Sequence, residues 1–144
     1  MIRNTLVIAL SLTATAAMAQ MSPVGLWRQI DDKTSHAKSE IRIVEENGVV
    51  IARIEKRLDP AAKPDDKCDE CKDDRKGKPI VGLEIIRGVK KVEGKDVWDG
   101  GKILDPAEGK EYNARLTPIE GGKKLEMRGS IAFFGRTQTW TRIQ

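Results

Sequence analysis

Apolar and polar residues alternate along most of this chain with a period of two. Ile41 and Ile43 are separated by an arginine, and in residues 50–58 most apolar side chains occupy one parity while arginine and glutamate occupy the other. Residues 112–116 and 123–131 repeat the pattern. A period of two indicates β-strands that are buried on one face and solvated on the other. The chain is therefore predicted to be all-β.

Turn signals separate these segments at short intervals. Asn47-Gly48 is typical of a type I′ hairpin turn, residues 105–109 combine proline and glycine, and Gly121-Gly122 closes another hairpin. Residues 81–92 are ambiguous between helix and strand, and their valine and isoleucine content favours a strand. The pattern predicts about eight strands, near residues 25–31, 39–46, 49–58, 81–92, 96–104, 110–118, 123–132 and 134–143.

Eight short antiparallel strands need a way to protect their edges. Closure into a single up-and-down barrel removes the edges, and a sandwich is the alternative. The interior of an eight-stranded barrel is just wide enough for side chains or one small ligand. The inward parity identifies candidate ligand-lining residues, which are Val50, Ile54, Tyr112, Leu116, Leu125, Met127 and Trp140.

The first nineteen residues have the pattern of a secretory signal peptide. Arg3 provides the positive charge, residues 6–12 form a short apolar run, and Ala17-Met18-Ala19 is a small-residue cleavage site before Gln20. The apolar run is too short to span a bilayer as a helix. We therefore predict that residues 1–19 are cleaved and that the protein is periplasmic or secreted and does not span the membrane.

Removal of nineteen of the 144 residues leaves 125, which is enough for one domain and too few for two. Residues 20–144 are therefore predicted to form a single barrel domain. Charged residues are 33% of the chain with both signs interspersed, and aromatic residues are only 4%. A nucleic-acid-binding surface would combine clustered lysine and arginine with stacking aromatics, so nucleic acid is not a predicted partner.

Both cysteines, Cys68 and Cys71, lie in the longest predicted connection, residues 59–79, at C-x-x-C spacing. In an exported protein this pair is expected to form a disulfide that restrains the loop. Acidic side chains outnumber basic ones six to two in residues 65–74, which disfavours the thiolate required for redox catalysis. A structural zinc site needs four ligands, and no second C-x-x-C is present. The disulfide is preferred to thiol or metal chemistry.

Motifs for enzymatic chemistry are absent from the sequence. There is no G-x-S-x-G, and a triad would depend on the single histidine, His36, which lies in a polar loop. No glycine-rich phosphate loop precedes a helix. The sequence therefore favours a non-enzymatic protein without a cofactor, a metal or a catalytic residue.

Aromatic and arginine residues are predicted to close the barrel ends. Trp27 follows Gly25 and Leu26 at the start of the first strand. A tryptophan there commonly plugs a barrel end with an arginine stacked over its ring, and this role is favoured over the alternative of lining a ligand pocket. Arg136 and Arg142 on the last strand are the candidate partners. Phe133 and Phe134, just before Gly135, are candidates for a cluster at the barrel mouth, but a position in the core is favoured.

Several segments resemble a known family. Gly25-x-Trp27 with arginine on the last strand resembles the structural signature of lipocalins. The segments GLWRQIDDKTSHAKSEIRI, CDEC, KPIVGLEIIRG, GGKILDPAEGKEYNARL and LEMRGSIAFFGRTQTWTRI resemble, in this order, the bacterial exported family called domain of unknown function 2147. The resemblance spans residues 22–143 and implies a small lipocalin-like β-barrel with the C-x-x-C in a loop. It implies no established activity.

Two functional hypotheses follow. In the first, the exported barrel binds a small, partly apolar ligand or a component of the cell envelope in its interior. In the second, side chains fill the barrel, and the protein interacts with envelope partners through residues 59–79. A thiol or metal protein is the third and weakest hypothesis. The volume of the barrel interior distinguishes the first hypothesis from the second.

Overall fold

The computed structural model describes residues 21–144, and the predicted signal peptide with its cleavage site lies outside them. Eight antiparallel strands form a closed barrel in which each strand pairs with its neighbours in sequence and the last pairs with the first. The strands are β1 (Gly25–Ile30), β2 (Ala37–Glu46), β3 (Val49–Arg57), β4 (Glu84–Lys91), β5 (Trp98–Asp105), β6 (Lys110–Ile119), β7 (Lys124–Ile131) and β8 (Phe134–Arg142). The predicted up-and-down barrel is confirmed.

Local sequence explains why the strands turn where they do. Asn47 and Gly48 join β2 to β3 with φ angles of 53° and 78°, the left-handed conformation that a type I′ turn requires at both positions. Residues 81–92, whose pattern was ambiguous between helix and strand, contain β4, as their β-branched residues predicted. A single 3₁₀ turn, Glu120–Gly122, joins β6 to β7.

The period of two places one face of every strand inside the barrel. The side chains of Trp27, Ile41, Val50, Leu116 and Leu125 are completely inaccessible to solvent. They fill the half of the barrel that contains residues 22–24, the end of β8 and the β2–β3 and β4–β5 turns. This half is a packed core and is called the closed half below.

Trp27 and Arg142 seal the closed end. The Arg142 guanidinium lies over the Trp27 ring, 4.2 Å from its centroid, and the indole Nε1 donates a hydrogen bond to the Pro23 carbonyl at 2.7 Å. Arg142 also donates to the carbonyls of Ser22 at 2.6 Å and Val24 at 2.8 Å. Residues 22–24 are therefore held across this end of the barrel and close it.

Arg142 also donates to the Gly122 carbonyl at 2.5 Å. Burial lowers the pKa of Arg142 below its usual value. Through these hydrogen bonds the Arg142 guanidinium links residues 22–24 to the β6–β7 connection.

Arg136 lies at the opposite end of β8 from Arg142 and does not contact Trp27. It is paired with Asp32 of the β1–β2 loop. Six residues separate Arg136 from Arg142 along an extended strand, which corresponds to about 20 Å. The two arginines share a parity but lie at different ends of the barrel.

Among residues 21–144, no helix has both the length and the apolar character needed to cross a bilayer.

Candidate functional site

A cavity of about 1260 Å³ occupies the half of the barrel opposite Trp27. It opens between the β1–β2 loop, the long β3–β4 connection, the β5–β6 turn and the β7–β8 hairpin. Ligand pockets commonly enclose about 300–1,000 Å³, so this cavity has room for a small molecule. The barrel is filled by its own side chains in the closed half and is open in the other half, here called the open half.

The inner surface of the cavity is apolar. Ile54 on β3, Ile85 on β4, Ile103 on β5 and Met127 on β7 contribute to it, and each is almost completely buried. These residues come from four strands and surround the barrel axis. The cavity floor, as this set is called below, can therefore contact an apolar ligand on several sides.

One wall of the cavity carries a chain of hydrogen bonds. The indole of the buried Trp140 donates to the Gln138 side-chain oxygen at 2.9 Å, and the Gln138 amide donates to Asp32 at 3.3 Å. Arg136 donates from Nε to the other Asp32 oxygen at 2.9 Å. The ion pair holds the pKa of Asp32 below its ordinary value and raises that of Arg136. The chain leads from the packed core to the cavity mouth.

Gln29 and Ser39 form a second polar contact in the cavity. The Ser39 hydroxyl donates to the Gln29 side-chain oxygen at 2.9 Å, and Ser39 is nearly buried. Both residues line the cavity from paired positions on β1 and β2. They add hydrogen-bonding groups to an otherwise apolar interior.

The β1–β2 loop that carries Asp32 is held in shape by Asp31. One Asp31 oxygen accepts hydrogen bonds from the backbone N–H groups of Lys33 at 2.9 Å and Thr34 at 2.8 Å. The bond from Thr34 is the main reason that the pKa of Asp31 lies below its usual value. Asp31 therefore positions the neighbouring Asp32 at the cavity mouth.

Residues 59–79, here called the disulfide loop, form another side of the mouth. Cys68 and Cys71 are joined, which confirms the predicted disulfide, and both are buried. The loop folds back on itself through hydrogen bonds from the Cys68 amide to the Lys78 carbonyl and from the Gly77 amide to the Cys68 carbonyl, both at 2.8 Å. It is an ordered part of the cavity wall.

Arg75 fastens the disulfide loop to the barrel from outside the cavity. Its side chain is 3% exposed and contacts Asp73 at 2.6 Å, the Glu84 carbonyl at 2.9 Å, and the Glu111 carboxylate. The hydrogen bond from the Arg75 side chain is the main reason that the pKa of Asp73 lies well below its usual value. Arg75 thus joins the loop to β4 and β6.

Three of the seven predicted lining residues, Ile54, Tyr112 and Met127, line the cavity. The structure places the other four in the packed closed half, where none is exposed; they are Val50, Leu116, Leu125 and Trp140. Alternation identifies which side chains are inside a barrel but not their height along its axis. Of these four, Trp140 still reaches the cavity wall through its bond to Gln138.

Tyr112 lies half-buried at the mouth beside acidic groups. Its hydroxyl is 3.4 Å from a Glu108 oxygen, and the Lys110 ammonium lies 5.5 Å from its ring centroid. Burial raises the pKa of Tyr112, and the nearby charges of Glu108 and Asp105 raise it further. Its phenol therefore remains a neutral hydrogen-bonding group near neutral pH.

The expected core position of Phe133 and Phe134 is wrong. Phe133 is 99% exposed and Phe134 is 82% exposed. Ile131 pairs with Phe134 at the end of the β7–β8 ladder, so Phe133 is in the two-residue tip beyond it. The tip projects past the barrel interior, and the two rings lie at the rim of the mouth.

Sequence reasoning did not identify several residues of the site. Gln138 could have been found, because it shares the inward parity of Trp140 and lies two residues nearer the mouth. Ile103 on β5 and Gly129 on β7 could have been found in the same way, because each shares the inward parity of its strand. Asp32 could not, because its loop has no periodicity and its partner is 104 residues away.

Within residues 21–144, no group of three or more histidine, cysteine, aspartate or glutamate side chains is arranged to hold a metal ion. The chemistry that the site can provide is apolar contact, hydrogen bonding and charge. The cavity thus has a closed end, an apolar floor and a polar mouth.

An eight-stranded up-and-down barrel, closed at one end by a tryptophan and an arginine and open to a cavity at the other, is a lipocalin-like barrel. The chain belongs to the family described as an uncharacterized protein conserved in bacteria, DUF2147, whose model matches residues 25–142. No curated protein matches the chain.

A solved structure has the same fold. It is described as protein HP1028 from the human pathogen Helicobacter pylori, which belongs to the lipocalin family. The two chains are 22% identical with a TM-score of 0.71, and the match covers 84% of this chain and 82% of the other. The similarity establishes the fold.

Proposed function

We propose that this protein is an exported binding protein that holds a small, partly apolar ligand, or a cell-envelope component of that size, in the cavity of its open half. The observation that carries the proposal is the asymmetric filling of the barrel. Side chains fill the closed half, whereas a cavity of about 1260 Å³ lies in the other half and extends between the loops of the mouth.

The lining favours a ligand with two chemically different parts. The cavity floor of Ile54, Ile85, Ile103 and Met127 matches an apolar body, since burial of apolar surface is the main source of affinity in such pockets. Gln29, Ser39 and Gln138 lie on the wall, where they can hydrogen-bond a polar group. The lipocalin-like fold supports the proposal by analogy.

The proposal of export is supported by the signal-peptide pattern of residues 1–19 and by the disulfide, which is consistent with an extracytoplasmic location. The mass of the mature protein in its producing cell tests it. Export predicts a chain that begins at Gln20, and an intact cytoplasmic chain that begins at Met1 would contradict it.

Replacement of an inward-facing glycine tests the proposed site. A Cβ on Gly129 would lie 3.6 Å from Tyr112 Cβ and 3.8 Å from Ile103 Cγ2, which is ordinary contact. The indole of Gly129→Trp would therefore enter the cavity without a backbone clash. We expect the affinity for decanol, measured by calorimetry, to fall about tenfold or more, since loss of the contacts of two methylene groups has that size.

Ser130→Trp is the matched control, because adjacent residues on a strand face opposite sides of the sheet. It adds the same indole outside the barrel and is expected to leave decanol affinity within about twofold of the original. Equal affinities of Gly129→Trp and the unsubstituted protein, with both folded by circular dichroism, would contradict binding in this cavity.

A further inference from the structure

The charged residues around the cavity mouth are unevenly balanced. Among residues 21–144, eight carboxylates and six cationic side chains line the cavity, although the whole chain carries a formal net charge of +4. The sign of the local charge is thus opposite to that of the protein. A ligand that enters the mouth meets the local charge at short range.

Salt bridges occupy half of the cations at the mouth. Arg57 contacts Asp66 at 2.7 Å, and Lys38 contacts Asp31 at 3.6 Å. The third pair is Arg136 with Asp32. Each pair is neutral as a unit, so these cations are already compensated.

The remaining charges are mostly negative. Five lining carboxylates form no salt bridge within the described part of the chain, namely Asp59, Asp65, Asp69, Glu70 and Asp105. Three lining lysines likewise form none, and one of these, Lys110, lies over the Tyr112 ring. Four of the five carboxylates, all except Asp105, belong to the disulfide loop, which the Cys68–Cys71 bond and Arg75 hold against the barrel.

We infer, on the basis of the proposed function, that the cavity selects amphiphiles with a cationic head over amphiphiles with an anionic head. The apolar body contacts the cavity floor, and the head lies at the mouth among the unpaired carboxylates. A fixed positive charge there gains attraction from the disulfide loop, whereas a carboxylate is repelled.

Arg136 does not reverse this preference. An anionic head could take over the Nε and Nη2 donors only by displacing the two hydrogen-bonded oxygens of Asp32, and at the remaining N–H groups it meets a guanidinium whose charge Asp32 already compensates. The displaced carboxylate would then lie unpaired next to Asp31 in a region that is already negative. A bidentate pair is costly to break for a new partner of the same charge.

Three probes with the same apolar chain test the inference: decyltrimethylammonium, decanol and decanoate. They are titrated into the intact mature protein by calorimetry at neutral pH and low salt, below the concentrations at which they form micelles. We expect decyltrimethylammonium to bind about tenfold more tightly than decanoate, with decanol between them. At about 1 M salt, where the screening length is about 3 Å, the ratio should fall towards one.

A matched pair of charge variants places the effect at the mouth. Asp65→Asn/Asp69→Asn/Glu70→Gln removes three exposed carboxylates whose side chains make no salt bridge among the described residues. Glu45→Gln/Glu46→Gln/Glu93→Gln removes three exposed carboxylates at the opposite end of the barrel. The first variant should lose the preference for decyltrimethylammonium, and the second should retain it.

The outcomes separate this inference from the proposed function. Binding of all three probes with equal affinity, or tightest binding of decanoate, would overturn the inference and leave a ligand-binding barrel. Retention of the preference by the first variant, or its loss in the second, would also overturn the assignment to the mouth. Failure of all three probes to bind would refute the proposed function, and the inference with it.

Discussion

Trp27→Ala is expected to lower the free energy of unfolding by about 3–5 kcal/mol, the range found when a large buried aromatic ring is removed. Trp27 is completely buried, packs under Arg142 and donates a hydrogen bond to Pro23. The truncation creates a cavity at the closed end and leaves the Pro23 carbonyl without its donor. Urea unfolding followed by circular dichroism measures the loss.

Two control substitutions test whether the loss of unfolding free energy comes from the role of Trp27 in closing the barrel end. Phe133→Ala also removes an aromatic ring, but Phe133 is 99% exposed, so the change should be within about 0.5 kcal/mol. Trp27→Phe keeps a ring beneath Arg142 and loses only the N–H donor and part of the ring, which should cost about 1–2 kcal/mol. Similar losses for Trp27→Ala and Phe133→Ala would show that Trp27 does not seal the barrel.

Gly109→Ala is expected to detach the disulfide loop from the β5–β6 turn and to cost about 3 kcal/mol. Gly109 has φ +68°, where an alanine is strained by about 1–2 kcal/mol. A Cβ there would also overlap the carbonyl oxygen of Glu70 and lie 2.5 Å from its carbonyl carbon. Because both contacts are with backbone, the loop or the turn must move.

Gly77→Ala is the matched control for this substitution. Gly77 lies in the disulfide loop with φ +74°, but no atom of a non-adjacent residue lies within 4 Å of the position that its Cβ would take. It should show only the conformational cost of about 1–2 kcal/mol. Urea unfolding gives the difference, and faster hydrogen exchange of the Cys68 and Gly77 amides in Gly109→Ala would report detachment. Equal losses for the two variants would contradict the close packing of Glu70 on Gly109.

The sequence predicted the architecture because the information for it is local. The strand of residues 49–57 has alternating burial, and Asn47-Gly48 needs the left-handed turn that it forms. The predicted strand at 81–92 is shorter in the structure, at Glu84–Lys91, because Ile80 and Leu83 pack in the connection that precedes it. Closure into a barrel was predicted because eight short antiparallel strands would otherwise leave two sheet edges exposed.

The position of the cavity could not be predicted in the same way. Ile54 and Val50 share a parity on β3, yet Ile54 lines the cavity and Val50 lies in the packed half. The two residues differ in their distance along the barrel axis from Trp27 at the closed end. That distance depends on the tilt and register of all eight strands. The contact of Arg136 with Asp32 arises from closure of the whole barrel, which no local pattern encodes.

Phe133 and Phe134 show the limit of residue type as a guide to burial. Their apolarity favoured the core, but Ala132 and Phe133 form the tip that connects Ile131 to Phe134. A hairpin tip at a barrel rim has no facing strand to cover it. The burial of these two side chains is therefore decided by their position in the hairpin and not by their hydrophobicity.

Decanol titration of the unsubstituted protein, followed by methyl NMR, tests the central claim most directly. Binding in the open half predicts saturable shifts at Ile54, Ile103 and Met127, which line the cavity. Leu116 and Leu125 in the closed half should shift little, as should the exposed Ile143. A response that does not saturate, or shifts that are largest at Ile143, would contradict a ligand-binding cavity in the open half of this barrel.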